Sequence, residues 1–417
     1  MSSNQNNGVE KYTFTSYEIF MIVVLSLLQF TVILDFMILS PLGFIIMPAL
    51  NINTDEFGLV VAAYAFSAGT SGILVAGFAD KFDRKKLLMV FYVGFVIGTA
   101  FCAMANTYQL LLAARIFTGI FGGVIGSIGF AIITDLYKME VRGRVMGFAQ
   151  MSFAASQVLG IPAGLLLANT WKDWHATFWM IVIFSTIIGV IMAIYMKPVN
   201  EHLKLKSTRN PIQHLIKTLT NPEYTKGFLA TIFLATGGFM LMPFGSAFST
   251  KNLKVSADDV TLVFGITGMF TVVFGPIIGK LSDVIGKYKM FVIGSIISFI
   301  MVGIYTNMGP IPLWLVILLN VLLFVGITSR MISSQALTSG LPQPQDRGAF
   351  MSINSSVMQI FGGVAAVVAG KILIRSDEGV FQNYHVLGYV VMGSILIGIV
   401  LFYILNEQVQ KTLNKKV

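Results

Sequence analysis

Two ionisable residues stand where such residues are rare. Asp35 and Arg115 each lie deep in a long apolar run. Of 19 acidic residues, only Asp35 falls well inside a predicted membrane span. It precedes Pro48 by thirteen residues, so it lies about 20 Å below that end at 1.5 Å of rise per helical residue. An ionised carboxylate at such depth costs about 3 kcal/mol or more unless it faces water or a partner. Two readings are open. Burial favours the neutral acid and a nearby cation favours the carboxylate, which is what a proton carrier needs. The alternative is a structural acid, permanently paired or hydrogen-bonded. Arg115 is the natural partner, about 12 Å from the same surface, and on these boundaries the only basic residue well inside a span. It keeps its proton and so acts as a fixed charge, or it packs helices by bonding their carbonyls. Internal offsets of 202–203 place Gly237 and Leu318 at the corresponding points of a second half, which assigns any proton chemistry to the first half.

A second charged constellation lies in short bridges between apolar runs. "AGFADKFDRKKLL" spans Ala76 to Leu88, and "GKLSDVIGKYKM" follows from Gly279 to Met290, with Asp80 and Asp283 203 positions apart. Asp135 and Arg142 flank another bridge. A solvated basic loop explains the lysines, but not an Asp at the same point of both copies.

The elements that hold these residues are read from hydropathy. The chain has 417 residues, 55% hydrophobic and 11% charged, with a mean hydropathy of +0.80. Soluble domains carry about 25% charged residues. Twelve apolar runs approach the ~20 residues a bilayer crossing requires. They lie at 17–48, 57–79, 85–106, 109–135, 144–168, 174–196, 224–249, 258–280, 287–307, 311–335, 347–373 and 382–405. Their length and uniform apolarity predict helices rather than barrel strands. The first run is overlong, and Pro41 and Pro48 are expected to kink or end it. The expected organisation is an N-terminal tail over 1–15, a six-helix domain over 16–197, a linker over 198–222, a second six-helix domain over 223–406 and a tail over 407–417. Within the linker, "NPIQHLIKTL" spaces Ile212, Leu215, Ile216 and Leu219 as an amphipathic helix.

Lys and Arg concentrate in alternate loops, including Lys81, Arg84, Lys85, Lys86, Lys138, Arg142, Arg144, Lys280, Lys287, Lys289 and Arg347. The positive-inside rule then places both termini and both charged hairpins in the cytoplasm. The repeat extends further: Pro41-Leu42-Gly43 matches Pro243-Phe244-Gly245, and "EVRGRVMGF" from Glu140 matches "QDRGAFMSI" from Gln345. Two parallel six-helix halves with a site between them is a transporter architecture.

These features resemble the major facilitator superfamily over nearly the whole chain, and within it the bacterial drug and sugar-efflux proton antiporters. Four stretches carry the resemblance. The family hairpin, G-x-L-A-D-R-x-G-R-R/K-x-x-L, is matched by Asp80, Arg84, Lys85 and Leu88, while Ala76, Lys81 and Asp83 depart from it; the second copy keeps Gly279, Leu281, Asp283 and Gly286. "LLLAARIFTGIFGG" resembles the fourth-helix motif, with Arg115, Gly119 and Gly122. Asp135 with "EVRGR" matches the loop that follows. "GIPAG", with Gly160, Pro162 and Gly164, resembles the antiporter motif of helix five, and "WHATFW" carries His175 where related proteins usually have Arg. The resemblance implies an all-α membrane protein of twelve helices in two pseudo-repeats. It gives Arg115 a part in proton transfer with the helix-one acid. It also implies a conformational latch at Asp80, Arg84, Asp135, Arg142 and Asp283, the hairpin Asp capping a helix of the other half and its Arg pairing with the acid after helix four. It implies a monomer as well.

Phe36, Met37, Phe239 and Met240 are candidates to line an apolar cavity, with lipid-facing or core packing as the alternative, and Gln157, Asn320 and Gln359 are candidate polar groups at membrane depth. Four scattered His residues offer no metal-ligand spacing, and no phosphate-binding GxxxxGK[ST] stretch exists. The expected protein is therefore not an enzyme and needs no cofactor beyond a proton gradient. Its partners are a small-molecule solute, protons and the lipid bilayer of a bacterial inner membrane, and not nucleic acid. The expected activity is export of a drug-like or sugar-like solute by proton antiport. A proton symporter importing a nutrient, a lipid or lysolipid flippase and a non-transporting sensor are the alternatives.

Overall fold

The computed structural model describes residues 13–76, 81–200, 203, 211–343, 346–376 and 379–414. Among them, twelve spans are long and apolar enough to cross a membrane. The first is broken: α1 (Ser16–Ile38) stops at a turn over residues 39–42, and the short α2 (Gly43–Ala49) follows. Pro41 lies in that turn, where its fixed φ and missing N–H interrupt the helical ladder. The first half continues with α3 (Thr54–Ala76), α4 (Arg84–Ala103), α5 (Tyr108–Leu136), α6 (Met139–Ala155), α7 (Ile161–Trp171) and α8 (His175–Tyr195). A π-helical turn, Ser156–Gly160, joins α6 to α7 within the fifth span. Pro162 stands at the start of α7, and the π turn accommodates the backbone donor that proline lacks.

The short helix α9 (Pro211–Leu219) leads into the second half. Of its described apolar residues, Leu215 packs against the second half's core, whereas Ile216 and Leu219 are exposed. The amphipathic helix is present, with a narrower buried stripe than the sequence spacing predicts. Next come α10 (Pro222–Phe239), a 3₁₀ turn at Met242–Phe244 and α11 (Gly245–Lys251), which repeat the broken first span. The half is completed by α12 (Ala257–Ile285), α13 (Lys287–Asn307), α14 (Leu313–Ser339), α15 (Arg347–Ile372) and α16 (Tyr384–Asn414). Helix α16 runs well past residue 407, where a tail was expected. A two-residue ladder of β1 (Ile374–Arg375) and β2 (Phe381–Gln382) links α15 to α16. Asn252, just after α11, clamps Phe381 by accepting from its N–H at 2.9 Å and donating to its carbonyl at 2.8 Å.

Capping chemistry explains where the helices begin. Thr15 and Glu18 form a reciprocal capping box on α1. Thr107, Asn221 and Ser256 cap α5, α10 and α12 through their side chains. Asp83, which departs from the family pattern, caps α4 by accepting from the N–H groups of Lys85 and Lys86. Its counterpart in the second copy, Gly286, turns the chain with φ +101° instead, a conformation open to glycine. One repeat position thus makes the same turn by two different means.

The halves meet along two helix pairs. Helices α3 and α15 approach so closely that a Cβ on Gly58 would lie 2.8 Å from Ala366 O, and one on Gly370 2.6 Å from Thr54 O. Thr54 Oγ1 donates to Leu373 O at 2.7 Å at the end of this pair. At the same end, Ser246 Oγ donates to Ser40 O at 2.8 Å, Asn169 Nδ2 donates to Ala257 O at 3.0 Å, and the Phe57 and Phe244 rings meet edge to face. The second pair sets the fifth span against α12, where Gly268 faces Gln157 O at 3.0 Å and Gly265 faces Pro162. Beyond Gly268 the contact thins toward α6. Positions 275 and 279 have no neighbour within 4 Å of an added Cβ, and Val273, Ile277, Leu281 and Val284 are exposed.

Candidate functional site

Asp35 occupies the last turn of α1, just before the break, and Arg115 lies in α5; neither is exposed to solvent. Arg115 Nη1 donates to Asp35 Oδ2 at 2.8 Å and to the Asp35 carbonyl at 3.2 Å. The second carboxylate oxygen accepts from Thr99 Oγ1 on α4 at 3.2 Å. Tyr64 of α3 lies beneath the guanidinium, its ring centroid 4.5 Å from Cζ, a distance at which the ring face attracts the cation. Four helices therefore build the pair. Small residues let them approach: a Cβ on Gly98 of α4 would overlap Thr118 of α5, and one on Gly119 of α5 would lie 2.5 Å from Tyr64 O. Nε and Nη2 of Arg115 make no hydrogen bond. The pair is neutral as a unit but not saturated.

The fifth-span motif packs directly behind this pair. An added Cβ on Gly160 would lie 2.6 Å from a Leu34 methyl, next to Asp35 in sequence, and one on Gly164 would lie 2.7 Å from Thr177. Thr177 Oγ1 donates to Gly164 O at 2.7 Å. Gln157 lies within the π turn, 7% exposed, with its Oε1 sealed and unbonded. His175 bonds Asp173 Oδ1 through Nδ1 at 2.5 Å and Ala105 O through Nε2 at 2.9 Å, which ties the start of α8 to the loop after α4.

The remaining candidates separate. Phe36 and Phe239 meet across the two halves with ring centroids 5.8 Å apart, and Phe36 also touches Tyr64 at 5.2 Å. Gln359 of α15 is half-buried against Gly69 of α3. Met37 and Met240 are sealed in the core instead of lining open space, 5% and 1% exposed. Asn320 bonds Tyr305 inside the second half, and Tyr305 in turn meets Ser249 of α11 at 2.8 Å. At the far end, Arg84 Nε donates to Asp135 Oδ2 at 3.2 Å with both side chains largely buried. Asp80 lies outside the described residues, and so does the side chain of Arg142, whose backbone belongs to α6. Asp283 is exposed and bonds no described residue, because the last turns of α12 stand clear of the first half.

One basic residue escaped the reading of the sequence. Arg330 lies within α14 and is 4% exposed, so Arg115 is not alone at depth. The apolar run ends at 335 by hydropathy, with Arg330 near its edge, but the serine-rich helix continues to Ser339. Thr99 and Tyr64 were missed for another reason: they become partners only once α3, α4 and α5 are packed.

A duplicated bundle of twelve membrane-length helices, broken at equivalent points and holding a buried ion pair, defines a polytopic membrane carrier. The family model of the Major Facilitator Superfamily matches residues 25–244 and again 227–417, and the chain belongs to this superfamily of transporters. It is 26% identical over 275 residues to the uncharacterized MFS-type transporter YceJ of Bacillus subtilis (strain 168), covering 64% of this chain and 68% of that protein. It is 23% identical over 289 residues to a probable sugar efflux transporter of Helicobacter pylori (strain G27), covering 68% and 71%. Among solved structures, a D-xylose-proton symporter superposes with a TM-score of 0.75 at 17% identity, over 91% of this chain and 97% of that one.

Proposed function

We propose that this transporter exports a small organic solute, drug-like or sugar-like, in exchange for protons across the cytoplasmic (inner) membrane, and that it works as a monomer. The observation that carries the reading is the sealed Asp35–Arg115 pair at the break of α1. Asp35 is the proton-binding group. Arg115 is the fixed charge that holds the carboxylate when the proton leaves, with Thr99 and Tyr64 as positioning residues. Protonating Asp35 weakens the ion pair, releases α1 from α5 and biases a two-state rocking of the halves. The fifth-span motif, against Leu34 and Thr177 on one side and near α12 on the other, carries that change to the second half. The similarity to a probable sugar efflux transporter of Helicobacter pylori supports efflux of a sugar-like solute.

Orientation follows from the loops. With the Lys- and Arg-rich loops in the cytoplasm, the contacts of Thr54, Ser246 and Asn169 close the outer end, and the parting of α12 from the fifth span opens the inner one. The Arg84–Asp135 pair then belongs to a cytoplasmic latch whose second-half partner, Asp283, engages in the opposite state.

The test uses proteoliposomes with a pH-sensitive dye inside and imposed gradients of a solute panel. A solute gradient driving protons the opposite way in the wild type, with the flux lost in Asp35→Asn, is the expected result. Protons moving with the solute would make the protein a symporter. Undiminished coupling in Asp35→Asn would remove Asp35 from the mechanism.

A further inference from the structure

The second half contains a buried cation, Arg330, with no counterion among the described residues. The Nε and Nη2 groups of Arg330 are sealed and make no hydrogen bond. Its Cζ stands 5.8 Å from the ring centroid of Phe291 on α13. On the other side it abuts Gly237 of α10, where an added Cβ would lie 3.3 Å from Nη1, 3.4 Å from Nη2 and 3.4 Å from Ser394 Oγ of α16. Helices α10, α13 and α16 thus converge on a guanidinium carried by α14, and no described carboxylate reaches it.

What these helices offer instead is hydroxyls. Ser295 and Ser298 follow Phe291 at four and seven residues, hence on the same face of α13. Ser333 lies three residues beyond Arg330 on α14. All three are 1% exposed or less, and their Oγ atoms have no hydrogen-bond partner. A hydroxyl can turn its hydrogen toward a negative group as readily as it can accept, so the helix that carries Arg330 and the helix that bears Phe291 hold buried donors without partners, and Ser298 Oγ abuts Gly326, one turn before Arg330 on α14.

The repeat shows what is missing. Offset by 202 positions, as Pro41 is from Pro243, the counterpart of Asp35 is Gly237, the residue against which Arg330 rests. The first half supplies an internal carboxylate at this point, and the second half leaves it without a side chain; Arg330 itself is not the repeat partner of Arg115, which is Leu318, twelve residues earlier on α14. Gly238, next to it, has nothing within 4 Å of an added Cβ, and Phe239 touches Phe36 of the first half. Gly237 thus lets the guanidinium close onto the α10 backbone, and Gly238 leaves space beside it.

We propose that Arg330, with the unpartnered hydroxyls of Ser295, Ser298 and Ser333, forms an anion-binding site that takes a small monoanion. The shared chemistry is one negative charge with acceptor capacity on two or more sides, supplied by a free halide-sized anion or by the carboxylate of a solute. Guanidinium is weakly hydrated and gives up water readily for such a partner. A ligand that binds only the folded protein raises its unfolding temperature by mass action.

The experiment is thermal unfolding of the purified full-length protein in detergent, starting from sulfate buffer and adding chloride or acetate at constant ionic strength. The wild type is expected to gain about 2 °C or more, saturably, with at least one of the two anions. Arg330→Met, which lacks the cation, and Gly237→Asp, which supplies the carboxylate internally, are expected to show no gain. A rise with chloride assigns the site to free inorganic anions, and a rise with acetate alone assigns it to carboxylate solutes. No rise in the wild type with either anion overturns the proposal, and so does an equal rise in the wild type and Arg330→Met. The methionine variant keeps the test decisive should Gly237→Asp fail to fold, since it removes a buried charge without adding one.

Discussion

Each half of this transporter buries one guanidinium at membrane depth, and the two do so on different terms. Arg115 is met by a carboxylate at 2.8 Å, a threonine that orients that carboxylate and a tyrosine ring. Arg330 is met by a phenylalanine ring, a glycine and hydroxyls. Duplication preserved the helix break and the hairpin but not the arginines, since the counterpart of Arg115 is Leu318 and Arg330 lies twelve residues further along α14. The difference shows that the architecture tolerates a buried cation with or without a fixed counterion. The missing acid is what frees the second half from the first half's chemistry.

The largest effect expected is on stability. Asp35→Ala leaves Arg115 buried and uncompensated, and breaking such a pair costs about 3–5 kcal/mol. Arg330→Met in the sulfate buffer, without chloride or acetate, is expected to leave stability unchanged or raised, because no described carboxylate is orphaned. Thermal unfolding of the two variants side by side checks this, and equal losses would erase the distinction between the halves.

A second contrast concerns how the halves touch. Gly370→Ala puts a methyl against the Thr54 carbonyl, and overpacking of this kind costs about 1–3 kcal/mol. Gly275→Ala meets open space and is expected to stay within about 0.5 kcal/mol. Distance measurements between spin labels on the two halves should show the α3–α15 contact loosened by the first change and untouched by the second. At the hairpin, Asp135→Asn takes the ionised acceptor from a largely buried Arg84. A loss of about 1.5–3 kcal/mol is expected from such a charge-assisted bond, whereas Asp283→Asn in the exposed second copy should be silent in this conformation.

The smallest effect separates the halves by their hold on the linker. His214 of α9 bonds Asp346 Oδ1 at 2.9 Å, and Tyr224 donates to Asp346 Oδ2 at 2.8 Å. The His214 hydrogen bond, opposed by partial burial and joined by the bond from Tyr224, holds the Asp346 carboxyl below its usual 3.8. A depressed acid stabilises the folded state above its unfolded value. That contribution fades as pH falls below 3.8 and through the folded value. Limited proteolysis of the linker should therefore quicken at acid pH in the wild type. Asp346→Asn should quicken it at neutral pH, by less than about 1 kcal/mol of docking energy.

Most of the fold was legible because its signals are long and redundant. Twelve apolar runs and the repeats at Pro41/Pro243 and Asp80/Asp283 each report on the architecture independently. The Asp35–Arg115 contact was legible for a related reason, since two isolated charges in hydrocarbon have few other partners. What stayed hidden depends on packing. Tyr64 and Thr99 carry nothing in their own sequence neighbourhoods that marks them as partners. Met37 and Met240 look the same in sequence whether they line a cavity or fill a core. Arg330 was concealed by serines that lower local hydropathy and so pulled the apparent helix end toward it. The π turn at Ser156–Gly160 shows in sequence only as a proline and two glycines, which announce irregularity without its form.

The clamp of Asn252 on Phe381 has a mechanical consequence. Both backbone groups of Phe381 are gripped by one side chain that follows α11, and Phe381 belongs to the ladder joining α15 to α16. A displacement of α11 would therefore reach the linkage between two other helices through a single amide side chain, a short lever arm set where the second half turns from α15 into α16.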